Sequence, residues 1–202
     1  MLRNNEVRSL GHSGLSEFAT FTVLCGLSSL AESIISFLEM VGFQYDSEAV
    51  TTVVFDAPYG FACQCLAALL SCESRTIVMT NNLCPEYLED VWERSPTVLL
   101  AGVPLHATLV DAIKRVGMGK RYRLTPPQDS ILTLTERRML MLLAHGCSNQ
   151  EIARQLVMQC QTVRNTLTAI YQKLNVRHRG EAILCYYGIQ QALIGGFTKK
   201  QE

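Results

Sequence analysis

The 202-residue sequence predicts two fold classes in succession. Residues 18–121 read as an α/β domain on a parallel sheet, and residues 131–196 as an all-α domain of four short helices. Three observations carry this. Apolar runs of strand length alternate with helical patterns up to about residue 120, which implies a sheet covered on both faces. From residue 132 onward the period becomes purely helical. Between them, residues 122–130 hold Pro126-Pro127 followed by Gln-Asp-Ser, which interrupt every apolar period and read as a linker. Residues 1–17 are polar, include two glycines, and are expected to be a mobile arm.

In the first domain, residues 21–27 (FTVLCGL) form a continuous apolar run of buried-strand type. Residues 29–41 follow as an amphipathic helix stopped by Gly42. Residues 51–55 (TTVVF) are a second strand, followed by Asp56-Ala57-Pro58 and a helix over 61–70. Residues 75–80 (RTIVMT) give a third strand. A helix over 85–94 has Pro85 in its first turn, where a missing N–H costs nothing. Residues 97–100 (TVLL) and 107–117 complete the pattern as strand and helix. Ligand chemistry in such sheets gathers at the carboxyl ends of the strands.

In the second domain Thr133 is an N-cap with Glu136 three residues on, the spacing of a capping box. Met139, Leu140, Leu142 and Leu143 make the apolar stripe, and Gly146 ends the helix. Ser148 or Asn149 caps the next helix, where Glu151 suits the positive end of the dipole and Ile152, Ala153 and Leu156 form the buried side. A turn through residues 158–160 leads to a third helix with Val163, Leu167, Ile170 and Leu174 at helical intervals. Its other side carries Arg164, Asn165, Thr168, Gln172 and Lys173, side chains able to reach base edges or phosphates. Residues 177–179 (RHR) meet the phosphate backbone or cap the preceding helix, and residues 182–193 form a fourth helix.

Charge divides the chain in the same place. Overall it balances at 18 basic against 18 acidic residues, but residues 1–120 hold 7 basic and 13 acidic, net −6, and residues 121–202 hold 11 and 5, net +6. The basic half attracts a phosphate backbone and the acidic half is repelled by it. The first residues lack an apolar core of secretory length, and no apolar run approaches the roughly 20 residues of a membrane span. A cytoplasmic protein without membrane contact is expected, its 8 cysteines reduced. Cys63, Cys65, Cys72 and Cys84 lie close in sequence, yet C-x-C on a helix points two thiols about 200° apart, which argues against a shared metal. Cys160 precedes a helix whose positive end lowers a thiol pKa. His106, His145 and His178 have no ligand spacing. There is no nucleophile–base motif and no Gly-rich phosphate loop, so neither an enzyme nor a cofactor is expected.

The stretch from 132 to 176 resembles the LuxR/NarL (GerE-type) family of helix-turn-helix DNA-binding domains. Its S-N-x-E-I-A run is intact at residues 148–153, its Thr-Val-basic triplet is Thr162, Val163 and Arg164, and its Lys-Leu is Lys173-Leu174. The chain departs from the family at Gln159, Thr166 and Leu134-Thr135. The resemblance implies binding to double-stranded DNA through Thr162, Arg164, Asn165, Thr168, Lys173 and Arg177. It also implies a homodimer contact on the last helix, for which Ile183 and Tyr187 are candidates, since that helix carries more apolar surface than a small bundle can bury.

The first domain looks like a shortened response-regulator receiver, a flavodoxin-like fold, and its end (LVDAIKRVGMGKRYRLTP) is similar to the exit segment of NarL/FixJ-type regulators. By that resemblance Asp56 matches the phosphoacceptor and Thr80 the switch hydroxyl. The acidic pair that holds Mg²⁺ is replaced by Gly26, Leu27 and Ser28, and the phosphoryl-steadying Lys by Gly102. Without that cage a carboxylate has little means of accepting a phosphoryl group. Only about 30 residues separate the first strand from Asp56, so an element is missing or reduced. The expected function is a dimeric transcription regulator controlled without phosphorylation, with a protein or small-molecule effector on its first domain. The alternatives are a ligand- or redox-responsive sensor and a working phospho-receiver that uses Asp56.

Overall fold

The computed structural model describes residues 20–69 and 75–189. The 1–17 arm, Cys72 and the chain beyond residue 189 lie outside the described residues. The elements run β1 (Thr20–Cys25), α1 (Ser28–Met40), β2 (Gln44–Tyr45), β3 (Thr51–Phe55), α2 (Phe61–Leu69), β4 (Arg75–Thr80), α3 (Pro85–Glu93), β5 (Val98–Ala101), α4 (Leu105–Gly117) and β6 (Tyr122–Leu124). Four helices follow: α5 (Leu134–Ala144), α6 (Asn149–Gln155), α7 (Cys160–Lys173) and α8 (Arg179–Tyr186).

The six strands are all parallel and ordered β2-β1-β3-β4-β5-β6. The first five keep the flavodoxin-like order 2-1-3-4-5. Side-chain alternation along each strand splits the core in two. Val53, Ile77, Val98 and Leu100 pack under α1 and α4 with Ile34, Leu38, Leu109 and Ile113. Val54, Val78 and Leu99 face the other way, onto Ala62, Leu66, Tyr87 and Val91 of α2 and α3. That second core runs on without a break into Met139, Leu140 and Leu143 of α5, Ile170 of α7, and Tyr186 of α8. The two parts of the chain therefore share one apolar core through α3.

The reduced element is the β2 region. β2 has two residues, and the chain returns from Tyr45 to β3 at Thr51 without a helix between them. A second departure lies at the expected linker, whose first three residues form β6. Tyr122 N–H donates to Thr97 O (3.1 Å), and Arg121 lies 3.9 Å from the Trp92 ring centroid while donating to Pro96 O and Trp92 O. A three-residue strand is too short to show a period in sequence, so its pairing with β5 went unread. The last helix is also placed earlier than expected, over Arg179–Tyr186, because His178 is its N-cap and accepts from Glu181 N–H.

Candidate nucleic-acid interface

α5 and α6 both begin on complete capping boxes, Thr133 with Glu136 and Ser148 with Glu151, which sets where each helix starts. α5 turns out of its helix at Gly146 (φ 87°). α6 and α7 end on residues in the same left-handed region, Val157 (φ 55°) and Asn175 (φ 54°). Asn tolerates that backbone, whereas a β-branched residue is strained there. Val157 is 92% exposed, so nothing in its packing offsets the strain.

These turns leave α7 with one side in the core and one in solvent. Val163, Leu167 and Ile170 are buried, as the spacing predicts. Thr162, Arg164, Asn165 and Thr168 are exposed together along the outer side. Asn165 Oδ1 accepts from Gln161 Nε2 (3.0 Å), and Thr168 Oγ1 donates to Arg164 O (3.1 Å), so two of these polar side chains are held in place locally. The Arg164 guanidinium makes no ion pair among the described residues.

Lys173, also expected at the DNA, is exposed but paired within the chain. Its ammonium donates to both carboxylate oxygens of Glu136 at 2.8 Å, tying the end of α7 to the capping box of α5. The bond from Lys173, with that from Thr133 N–H, holds the Glu136 carboxyl below its ordinary pKa. Arg177 is exposed, and its backbone N–H donates to Glu181 Oε2 (2.6 Å). Arg179 is a structural cap: its guanidinium donates to Leu143 O (3.2 Å) and Cys147 O (2.7 Å), carbonyls at the end of α5.

The other expected contacts turn inward. Tyr187 is half-buried, its ring covers Gly60, and its hydroxyl donates to Ala144 O (3.3 Å). Ile183 is half-buried against the shared core, and Leu184 is the apolar side chain of α8 that faces solvent. Much of the apolar surplus of the last helix is thus covered within the chain, so Ile183 and Tyr187 are not a free partner surface in this arrangement.

Behind the helices lies a polar network that the sequence reading missed. Asp90 is buried on α3 and accepts from Arg137 Nε (2.9 Å) on α5 and from Tyr186 OH (2.9 Å) on α8; Arg137 also pairs with Glu93. Burial drives the Asp90 carboxyl above its ordinary pKa, and the bonds from Tyr186 and Arg137 only partly oppose it. The Tyr186 ring meets Tyr87 edge-on at 5.4 Å, and Asn82 Nδ2 donates to Tyr186 O (3.0 Å). The signal was present: Arg137 sits on the apolar stripe of α5 and Asp90 beside Tyr87, Leu88 and Val91 on α3. Opposite charges on two otherwise apolar faces call for each other.

Tyr87 links this contact to Asp56. Asp56 is 3% exposed, and its carboxylate accepts from Tyr87 OH (2.6 Å), Thr80 Oγ1 (2.7 Å) and Ala62 N–H (3.0 Å). Burial, then the charge of Asp56, pushes the Tyr87 phenol well above its ordinary pKa. A Cβ on Gly26, where a receiver carries acid, would lie 2.8 Å from both Ala57 O and Pro58 Cδ. Gly102, in place of the Lys, has φ 65° and would meet Leu83 Cδ2 at 2.7 Å. At Gly26 the obstacle is backbone and a proline ring, whereas at Gly102 it is the end of the Leu83 side chain together with a left-handed backbone.

Among the described residues no group of three His, Cys, Asp or Glu side chains could share a metal, and no helix is long and apolar enough to cross a membrane. Cys63 and Cys65 are on α2, the former buried with its thiol pushed up to about 11 by burial. Cys160 is the first residue of α7 and is half-buried.

The family described as "Bacterial regulatory proteins, luxR family" matches residues 130–186. This span is a LuxR-family regulatory domain. The transcriptional regulatory protein YvfU of Bacillus subtilis (strain 168) is 31% identical over 118 residues, covering 55% of this chain and 58% of that protein. DesR of the same organism, also a transcriptional regulatory protein, is 30% identical over 115 residues, covering 54% of this chain and 58% of its own length. The chain thus spans less than two thirds of the curated relatives it matches. Among solved structures, RcsB from Salmonella enterica serovar Typhimurium, bound to promoter rprA with a phosphomimetic, aligns with a TM-score of 0.57 at 16% identity over 83% of this chain and 98% of that one. A structure of two RcsB dimers on two parallel DNAs aligns with a TM-score of 0.56 at 17% identity, covering 85% and 98%. These likenesses support the fold: a receiver-like α/β domain followed by a helix-turn-helix domain.

Proposed function

We propose that this protein is a sequence-specific DNA-binding transcription regulator that works as a homodimer and is controlled without phosphorylation. The observation that carries the DNA reading is the solvent-facing side of α7, where Thr162, Arg164, Asn165 and Thr168 stand together on a LuxR-family helix with its apolar side locked in the core. A helix so presented fits the major groove, where an Arg reads guanine by two parallel bonds. The net charge of +6 on residues 121–202 supplies the sequence-independent attraction. In this reading Arg177 meets the backbone directly, while Lys173 does so only by exchanging Glu136 for a phosphate.

Control without phosphorylation is supported by the state of Asp56. Its oxygens already accept three hydrogen bonds in a buried site, and the places of the acidic pair and the lysine are taken by Gly26, Leu27, Ser28 and Gly102, none of which can hold a cation or a phosphoryl group. The signal is read instead through the α3–α5–α8 contact. A dimer formed on α8 draws on Ile183 and Tyr187 once that contact opens, which an effector on the first domain would bring about. Selection of bound sequences from random DNA with the full chain tests the reading. A pseudo-palindromic site with half-sites about one helical turn apart is expected. Recovery of no preferred sequence would remove it.

A further inference from the structure

Four exposed side chains of α7, Gln161, Arg164, Asn165 and Thr168, recur at the spacing that puts residues on one face of a helix. Gln161 stands nearest the start of α7, the end whose side chains meet base edges when a recognition helix lies in the major groove. Two bonds within the face decide what it can still offer. Gln161 Nε2 donates to Asn165 Oδ1 (3.0 Å), which engages the acceptor of that amide and leaves both Nδ2 hydrogens without a partner among the described residues. Thr168 Oγ1 donates to Arg164 O (3.1 Å), so its hydroxyl retains only acceptor capacity. The Arg164 guanidinium has donors alone.

We propose that Gln161 is a positioning residue for specificity, fixing Asn165 as a donor so that it reads guanine instead of adenine. The inference rests on the reading of α7 as the recognition helix. An unconstrained asparagine pairs with adenine, accepting from N6 through Oδ1 while donating to N7 through Nδ2. Both atoms must then face the same base edge. The bond to Gln161 turns Oδ1 along the helix toward the preceding turn, so adenine is read only after that bond is given up. Its N6 hydrogens would otherwise meet the Nδ2 hydrogens, donor against donor. Guanine presents N7 and O6 side by side, two acceptors for the two hydrogens that Asn165 has left. Thymine presents one acceptor beside a methyl group, and cytosine presents a donor, so neither matches as well. Gln161 acts here without touching DNA. Arg164, one residue before Asn165, asks for the same guanine edge, so the half-site is expected to carry guanines at neighbouring positions.

The test compares the full chain with Gln161→Ala, Gln161→Met and Asn165→Ala, all at exposed positions where substitution leaves the fold intact. Preferred sites are selected from random DNA for the parent, and the base pair read by Asn165 is the one whose preference Asn165→Ala loses. Affinities are then measured with guanine and with adenine at that position. The parent should favour guanine by about tenfold. Gln161→Ala, and Gln161→Met, which keeps the length of the side chain without its donor, should each move that ratio toward adenine by about tenfold. The guanine preference due to Arg164 should stay as it was. Adding Gln161→Ala to Asn165→Ala should change the ratio no further, since Gln161 acts through Asn165. Adenine at that position in the parent would overturn the inference. So would a guanine preference that survives loss of Gln161, a Gln161→Ala loss equal on every site, or a selected sequence with no position sensitive to Asn165. If the parent selects no sequence at all, the DNA reading itself falls and this inference with it.

Discussion

The surroundings of Asp56 and the outer side of α7 are both polar, yet they hold their polar groups in opposite states. At Asp56 every carboxylate contact is internal and buried, supplied by Thr80, Tyr87 and Ala62. On α7 the Arg164 guanidinium is exposed, and Thr162 beside it is too. A saturated buried group fixes shape, because removing any one partner strands another. An exposed group with bonding capacity left over can recognise something outside the molecule. The difference separates a site that holds the structure from the one proposed to read DNA, although a sequence motif marks both.

The largest effect that would test this comparison is Arg137→Ala. It strands Asp90 in the shared core, and breaking a buried pair by removing one member costs about 3–5 kcal/mol. Urea unfolding of the full chain should show that loss, whereas a change near zero would mean that the two parts are not joined as described. Arg164→Ala is the counterpart on the open side. It should leave stability within about 0.5 kcal/mol and weaken binding to selected DNA by about 1–3 kcal/mol, with preference relaxed at one base. Lys173→Ala should weaken all sequences alike, and by less per charge, because its ammonium is already shared with Glu136. Equal losses with unchanged preference in both variants would place the reading side elsewhere.

How legible these two regions were follows from the range of their interactions. The helix starts at Thr133 and Ser148, the core side of α7 and the strand alternation depend on neighbours a few residues apart, so spacing reveals them. The parallel sheet was equally readable, and chain length alone showed that an element before β3 is missing or reduced, though not which one. The network of Asp90, Arg137 and Tyr186 was not, because its members are 47 and 96 residues apart. Tyr187 shows the cost. An apolar residue on a surface helix reads the same whether it covers a second subunit or, as here, Gly60 of its own chain. Lys173 shows it again, since the cation was visible and the carboxylate beneath it was not.

Two smaller effects sharpen the picture at the edges of α7. Val157→Gly should raise stability, because the left-handed backbone costs an L-residue about 1–2 kcal/mol and glycine gives back part of that as entropy. Thermal melting should show a higher midpoint, and a lower one would mean that Val157 makes contacts its exposure does not suggest. The Glu136 carboxyl has a pKa lowered in the fold, so its contribution is full above the ordinary glutamate value and is lost as pH falls through the lowered one. Urea midpoints for the parent and Glu136→Gln should therefore differ most near neutral pH and converge in acid, with salt narrowing the gap. A gap that widens in acid would contradict the Lys173–Glu136 pairing.

The central claim is that Asp56 has become a structural anchor, with control passing through the domain contact. Intact-mass analysis of the full chain, incubated with acetyl phosphate and Mg²⁺, tests this most directly. The account predicts an unchanged mass, and the same DNA affinity before and after treatment. Gain of one phosphoryl group on Asp56, absent in Asp56→Asn and accompanied by tighter DNA binding, would contradict it.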